Sequence, residues 1–338
     1  MKFGFVEDFR NPAPWRRPFP ELYEAILRQI ERAEGLGYDE VFLTEHHFTE
    51  DGYSPSPLPI ASAIAALTRR IRIGTFILLL PLYPPVRVAE DAATIDIISN
   101  GRLDLGLGQG YAANEFESLC LPRKERSARF HEGLELLLRL WNEERVTFEG
   151  KFHRVKDVTI SPRPAQTPHP PVWIGARAEK AVRRAARLGC HLMATLGPDP
   201  APAYVEELRA CGRDPKDFQI AQLRMVYVGE SEDQAWGDTQ DHIFSMMEYY
   251  GRILAEANDA PGDDRMWRIE KPSDIRDSSF GRAVMIGTPD QVARKIERFR
   301  KEFQATHFVM ATQLPGMDPA KGTRALELFA KELMPAFR

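Results

Sequence analysis

Cysteine is scarce in this chain: Cys120, Cys190 and Cys211 are three among 338 residues, widely spaced and without a Cys-x-x-Cys pair. That excludes a disulfide framework and a zinc cage, and fits a reducing compartment. Long apolar runs are missing too. The longest, Phe76 to Leu80, cannot span a bilayer, and Glu7-Asp8 places acidic residues too early for a signal peptide. A cytoplasmic protein with no membrane partner is therefore expected. There is no basic block, and the formal net charge is only −4, which removes the electrostatic reason to expect nucleic acid. No repeat, low-complexity tract or linker divides the chain, so residues 1–338 are expected to form one domain. What is present is 43% hydrophobic content, enough to fill the core of an ordinary enzyme acting on a small-molecule substrate.

Short β-branched and aromatic runs alternate with amphipathic stretches, the pattern of βα units and a parallel sheet. Strands are expected at Lys2 to Val6, Glu40 to Thr44, Ile71 to Leu80, Arg102 to Leu107, Pro171 to Gly175, His191 to Leu196, Gln219 to Val228 and His307 to Ala311. Helices between them include about Glu21 to Leu36, with Leu22, Ile26, Ile30 and Ala33 on one face and Gly37 as the stop. About eight such units make a TIM (β/α)8 barrel, in which chemistry gathers at the C-terminal strand ends. Two segments break the rhythm. Residues about 144–165 hold two extended runs around Gly150, a small β insertion, and residues about 258–283 are polar and turn-rich, the composition of a lid loop.

The second strand ends in Thr44-Glu45-His46-His47-Phe48, which brings titratable groups to the barrel mouth. Histidine moves protons near neutral pH, and adjacent strand residues face opposite ways, so only one of His46 and His47 aims inward. The fourth strand runs through Gly106-Leu107-Gly108-Gln109-Gly110-Tyr111, where absent Cβ atoms suit either a tight turn or a flat ligand. A dinucleotide fingerprint does not fit, because Tyr111 stands where glycine is required. Gly175-Ala176-Arg177-Ala178 leads a strand into a helix whose first amides can bind phosphate with help from Arg177; a solvated arginine is the plain alternative. Leu196-Gly197 at the next strand end adds a backbone donor or is a simple turn. Trp15, Tyr83 and Trp267 are candidates for the pocket wall or for packing. Asp96 and Arg102 are expected as an ion pair or a cap.

Glu45-His46-His47-Phe48-Thr49-Glu50, taken in order with Met1 to Gly4, Ile73-Gly74-Thr75, Pro85-Val86-Arg87, Gly101-Arg102 and Ile286-Gly287-Thr288-Pro289, resembles the bacterial luciferase-like flavin-dependent oxidoreductases over essentially the whole chain. The resemblance implies a barrel whose mouth holds FMN or the deazaflavin F420. On it, His46 is the general base and His47 is structural. Thr75, with Phe76-Ile77 as a non-proline cis bulge, lies against the flavin ring; Gln109, Gly110 and Tyr111 border it; Gly175, Ala176, Arg177 and Ala178, with Leu196 and Gly197, hold the phosphate. The chain departs from the luciferases at Gly108, where they carry a reactive cysteine, at Gln109, where they carry an arginine, and at Arg177, where they carry an acid.

The resemblance therefore implies a monooxygenase in which reduced FMN and O2 form a flavin 4a-hydroperoxide that oxidises a small organic substrate. A separate NAD(P)H:flavin reductase is the implied partner, since no nicotinamide motif is visible. The helices Pro57 to Thr68 and Val86 to Ile98 carry more apolar residues than one buried face needs, and in this family they form a homodimer interface. An F420-dependent dehydrogenase on the same barrel and a non-catalytic flavin-binding protein are the alternatives. A metallohydrolase built on His46 and His47 is disfavoured because their side chains diverge.

Overall fold

The computed structural model describes residues 1–195, 197–256 and 269–338. The strands are β1 (Lys2–Glu7), β2 (Glu40–Leu43), β3 (Arg72–Thr75), β4 (Leu78–Leu79), β5 (Leu103–Gly108), β6 (Val146–Glu149), β7 (Arg154–Val158), β8 (Val172–Gly175), β9 (His191–Ala194), β10 (Ile220–Val228), β11 (Met285–Gly287) and β12 (His307–Ala311). Parallel pairing runs β1-β2-β3-β5-β8-β9-β10-β12, and β12 returns to β1, so eight parallel strands close a barrel among the described residues. The expected TIM barrel stands. Between the strands lie α1 (Phe19–Leu36), α2 (Pro57–Leu67), α3 (Pro85–Ser99), α4 (Ala113–Ser118), α5 (Arg126–Asn142), α6 (Glu179–Leu188), α7 (Ala201–Ala210), α8 (Glu232–Glu256), α9 (Ser279–Ala283), α10 (Pro289–Glu302), α11 (Pro319–Glu332) and α12 (Met334–Phe337). Among the described residues no helix is long and apolar enough to cross a membrane.

Local chemistry accounts for the boundaries. In α1 the buried residues Leu22, Ile26, Ile30 and Ala33 recur at helical spacing, and Gly37 ends it in the left-handed region at φ 90°. Asn100 ends α3 in the same way, and Thr288 with Gln291 forms a reciprocal capping box at the start of α10. Inside the barrel, Val6, Phe42, Phe76, Trp173, Met193, Ala221 and Val309 pack together. A polar layer closes its N-terminal end, where Arg72 Nε pairs with Asp104 Oδ2 at 2.5 Å and Trp173 Nε1 donates to Asp104 Oδ1 at 3.2 Å. His191, in the same layer, has its ring 4.7 Å from that of Trp173.

Several expectations need correction. The strand expected over Ile71 to Leu80 is broken after Thr75, because the Phe76–Ile77 peptide is cis, and it resumes as β4 against β5. β11, not foreseen, extends the sheet beside β10; at three residues it is too short to show periodicity. The insertion is an antiparallel hairpin of β6 and β7, held by Glu132, which accepts the backbone amides of Lys151, Phe152 and His153. The segment expected as a lid lies outside the described residues up to 268. Its described part is not loose: Ser278 caps α9 through Gly281 N, and Ile275 and Phe280 are buried with Trp236 and Met247. Of the two alternatives for Asp96 and Arg102, the ion pair is not formed and Arg102 instead caps helix ends. Asp96 accepts from Gln166 and Leu103 N, while Arg102 donates to the carbonyls of Ala65, Thr68, Ile71 and Ser99.

Candidate active site

The end of β2 delivers two histidines to two different carboxylates. His47 Nε2 pairs with Glu45 Oε1 at 2.6 Å. Glu45 also accepts from Tyr83 O–H at 2.6 Å and from Leu79 N at 2.7 Å. Burial opposes a charge on His47, but the Glu45 hydrogen bond and charge outweigh it and raise its basicity. This arrangement ties the end of β2 to the segment following the cis bulge, and it assigns Tyr83 to packing.

His46 turns the other way. Its Nδ1 is 2.8 Å from Glu115 Oε1, the same oxygen that accepts His47 N at 2.9 Å. A carboxylate holding a backbone N–H with that oxygen accepts from Nδ1, so Nδ1 carries the hydrogen and Nε2 keeps its lone pair. Tyr111 Oη, 3.2 Å from Nε2, is the complementary donor. The rings of Tyr53, Tyr111, Tyr249 and Tyr250 surround His46 at 4.8 to 6.4 Å between centroids, and burial raises the pKa of each phenol. Tyr53 and Tyr250 are hydrogen-bonded through their hydroxyls. Arg10, from the loop after β1, pairs with Asp51 at 2.7 Å and lies over Tyr53 and Tyr249. Together these groups make a buried site in which the contacts favour one imidazole nitrogen as an acceptor.

The other expected residues fall into two groups around the mouth. Thr75 uses its hydroxyl within the sheet, donating to Gly106 O at 2.6 Å and accepting from Gly106 N at 3.0 Å. Phe76 belongs to the barrel core. Ile77 lies against the ends of β5 and β8, where a Cβ on Gly108 would collide with its Cδ1 and one on Gly175 would meet it at 2.9 Å. The glycines of β5 are thus cut away for their neighbours, Gly106 for the Thr75 carbonyl and Gly108 for Ile77, rather than for a turn or directly for a ligand. Gln109 and Gly110 continue past β5, with Gly110 at φ 70° beside Phe116.

The second group is the turn from β8 into α6. Ala176 N is bonded to Met193 O at 2.9 Å; Arg177 and Ala178 are exposed. Ala178 caps α6 with no side-chain acceptor on its first amides, and Arg177 forms no ion pair among the described residues. Gly197, past β9, has φ 145° and nothing within 4 Å of where a Cβ would stand. Leu196 and Trp267 lie outside the described residues, and Trp15 packs on His242 at 4.3 Å between ring centroids.

Glu115, Arg10, Asp51, Tyr53, Tyr249 and Tyr250 escaped the sequence reading. Glu115 is only 1% exposed but rides on the six-residue helix α4, too short for periodicity to reveal. The Tyr249-Tyr250 pair, near the end of a helix that otherwise covers the barrel, was the available signal.

Comparison with known proteins identifies the family. The profile of the luciferase-like monooxygenase family matches residues 1–307. The oxygenase component of flavin-dependent trigonelline monooxygenase from Acinetobacter baylyi is 29% identical, over 94% of this chain and 90% of its own. An F420-dependent glucose-6-phosphate dehydrogenase from Beutenbergia cavernae is 32% identical over 93% of each chain. The crystal structure of monooxygenase RslO1 from Streptomyces bottropensis superposes with a TM-score of 0.87 at 31% identity, covering 100% of both chains. The chain belongs to the luciferase-like monooxygenase family and is a flavin-dependent oxidoreductase.

Proposed function

We propose that this protein is the oxygenase of a two-component system, taking reduced FMN from a separate NAD(P)H:flavin reductase and using O2 to oxidise a small organic substrate. The observation that carries this reading is the 31% identity to the monooxygenase RslO1 over the whole of both chains, and His46, with the Glu115 carboxylate at Nδ1 and Nε2 facing a tyrosine-lined mouth, supplies the proton-handling group it needs. The residues present fit the flavin's phosphate: amides at the start of α6 without a side-chain cap, Arg177 beside them with no ion-pair partner among the described residues, and space at Gly197 clear of the described residues suit a dianion. Gly175 to Ala178 with Gly197 would hold the phosphate, and Ile77, Gln109, Gly110 and Tyr111 would border the ring. When bound, the reduced flavin supplies the electrons and activates oxygen. His46 Nε2 takes or returns the proton, Glu115 stabilises the imidazolium that results, and the buried rings limit water. Exposed Leu67, Ile97 and Ile98 on α2 and α3 support a homodimer through those helices, and a cytoplasmic setting fits the three free thiols.

A second reading, an F420-dependent dehydrogenase, is favoured by the buried Glu115–His46 pair, which serves proton removal from an alcohol equally well, and by the similarity to the F420-dependent relative. A binding titration decides. Reduced FMN, oxidised FMN and F420 are compared on the wild type and Arg177→Ala. Preference for reduced FMN, weakened about tenfold or more by the loss of the charge-assisted contact, supports the oxygenase. Preference for F420 moves the reading to hydride transfer, and binding of neither refutes both.

A further inference from the structure

We propose that Arg10 binds the organic substrate and that the group it takes is an uncharged carbonyl oxygen on a planar molecule. This deepens the reading above, since it names the substrate class of the same mouth. Arg10 is 4% exposed, and its Nε donates to Asp51 Oδ2 at 2.7 Å. Its Nη1 is buried and has no acceptor among the described residues. Buried guanidinium hydrogens are rarely left without an oxygen, because removing them from water costs more than an idle contact returns.

The open donor belongs to the site of His46. The guanidinium carbon lies 4.6 Å from the centroid of Tyr53 and 4.2 Å from that of Tyr249, and the same rings stand 4.8 and 6.3 Å from the His46 ring. Tyr53 and Tyr250 share one hydrogen bond between two hydroxyls, which leaves one phenolic hydrogen to donate as well. An acceptor entering here thus meets a guanidinium N–H and a phenol O–H, and the aromatic rings of Tyr53, Tyr111, Tyr249 and Tyr250 around His46 favour a conjugated or aromatic body.

Charge selects the neutral carbonyl over a carboxylate. Asp51 already pairs with Arg10, and Arg10 N donates to Asp8 Oδ1 at 3.1 Å. Burial pushes the Asp8 carboxyl up to about 6, against the opposing pull of Arg10, which favours its ionised form. Asp51 is thus bound to the guanidinium itself, while Asp8, held by the Arg10 backbone amide, acts on its charge from nearby, and a third anion would add repulsion in a buried site. A carbonyl accepts the same hydrogen bond without it.

The test uses 4-(dimethylamino)cinnamaldehyde, whose absorption moves to longer wavelength when its carbonyl accepts a strong hydrogen bond, on flavin-free protein. The expected result is a red shift on binding to the wild type, lost in Arg10→Met and reduced in Arg10→Lys. The matching carboxylate, 4-(dimethylamino)cinnamate, should compete at least tenfold more weakly. An unshifted spectrum, no binding, an equal shift in Arg10→Met, or stronger competition by the carboxylate overturns the proposal. Where Arg10→Met fails to fold by circular dichroism, Arg10→Lys decides, since it keeps the charge and loses the fork. An FMN and F420 titration of the wild type in parallel separates the two failures. Flavin binding without a carbonyl shift sinks only the substrate class, and absence of flavin binding sinks the function.

Discussion

Replacing Glu115 tests whether His46 is held as an acceptor at Nε2. Among the described residues both donors that reach Glu115, His46 Nδ1 at 2.8 Å and His47 N at 2.9 Å, meet Oε1, while Oε2 is buried without a partner there. In Glu115→Gln the His47 amide, which can only donate, keeps the new carboxamide oxygen toward both donors. Geometry survives and charge is lost. Hydrogen bonds to charged groups contribute about 1.5–3 kcal/mol and neutral ones about 0.5–1.5. The Nδ1–H tautomer should therefore exceed its alternative by roughly 12- to 160-fold in the wild type and by roughly 2- to 13-fold in Glu115→Gln, at RT of about 0.59 kcal/mol. Glu115→Leu leaves only the longer Tyr111 contact at Nε2 to favour that tautomer and so removes most of the bias. Long-range ¹H–¹⁵N correlation spectra of histidine-labelled protein read the tautomer without any knowledge of the substrate. A wild-type His46 protonated at Nε2, or an unchanged ratio in Glu115→Leu, would refute the assignment. Once a substrate is known, Glu115→Leu should also lower kcat by about a hundredfold or more, the usual scale of a misplaced general base, while leaving flavin affinity within a few fold.

Gly108→Ala should destabilise the protein by about 1–3 kcal/mol through overpacking against Ile77, read as a denaturant midpoint. The cost should largely vanish in an Ile77→Ala background, and an equal cost in both backgrounds would show that the contact is not its cause. The His191 imidazole is pushed down to about 4, chiefly by burial, with Asp104 opposing. The folded protein then refuses a proton that the unfolded chain accepts below about 6.5, so stability is present above that pH and lost as pH falls toward 4. The loss is at most about 3 kcal/mol, since each tenfold difference in proton affinity between the folded and unfolded chain is worth about 1.4 kcal/mol. His191→Gln, which keeps an acceptor for Gln219 N, should flatten urea stability between pH 6.5 and 4, and an unchanged acid slope would place the sensitivity elsewhere.

The barrel was legible because its strands and helices are long enough for their periods to show, as in α1, where Leu22, Ile26 and Ile30 recur with a glycine stop. The break after Thr75 was not legible from local pattern, since Phe76 to Leu80 is apolar throughout, and only the family resemblance pointed to it. The candidate site divides in the same way. His46 announced itself by residue type at a strand end. Its partner Glu115 did not, because a glutamate in a short polar segment looks solvated until the fold brings it 69 residues back to β2. Arg10 and Asp51 are similar cases, joined across 41 residues by loops that carry no periodicity at all.

The Glu45-His46-His47 motif also explains why neighbouring acids and bases can hold different roles. His47 and Glu45 are two residues apart on one side of the strand end, and their pair is closed by Tyr83 and Leu79 N, 38 and 34 residues further along the chain. It anchors the segment that follows the Phe76–Ile77 bulge, and Ile77 in turn lies against Gly108 and Gly175 at the ends of β5 and β8. His46 faces the other way and takes its carboxylate from α4, in the segment that leaves β5. Glu115 then binds both His46 Nδ1 and His47 N through one oxygen, so the motif and the loop cannot shift independently. A change at Glu45 should accordingly disturb the ring-facing side of the mouth through Leu79, whereas a change at Glu115 should disturb proton transfer first. The two glutamates are separable by whether flavin affinity or the His46 tautomer moves.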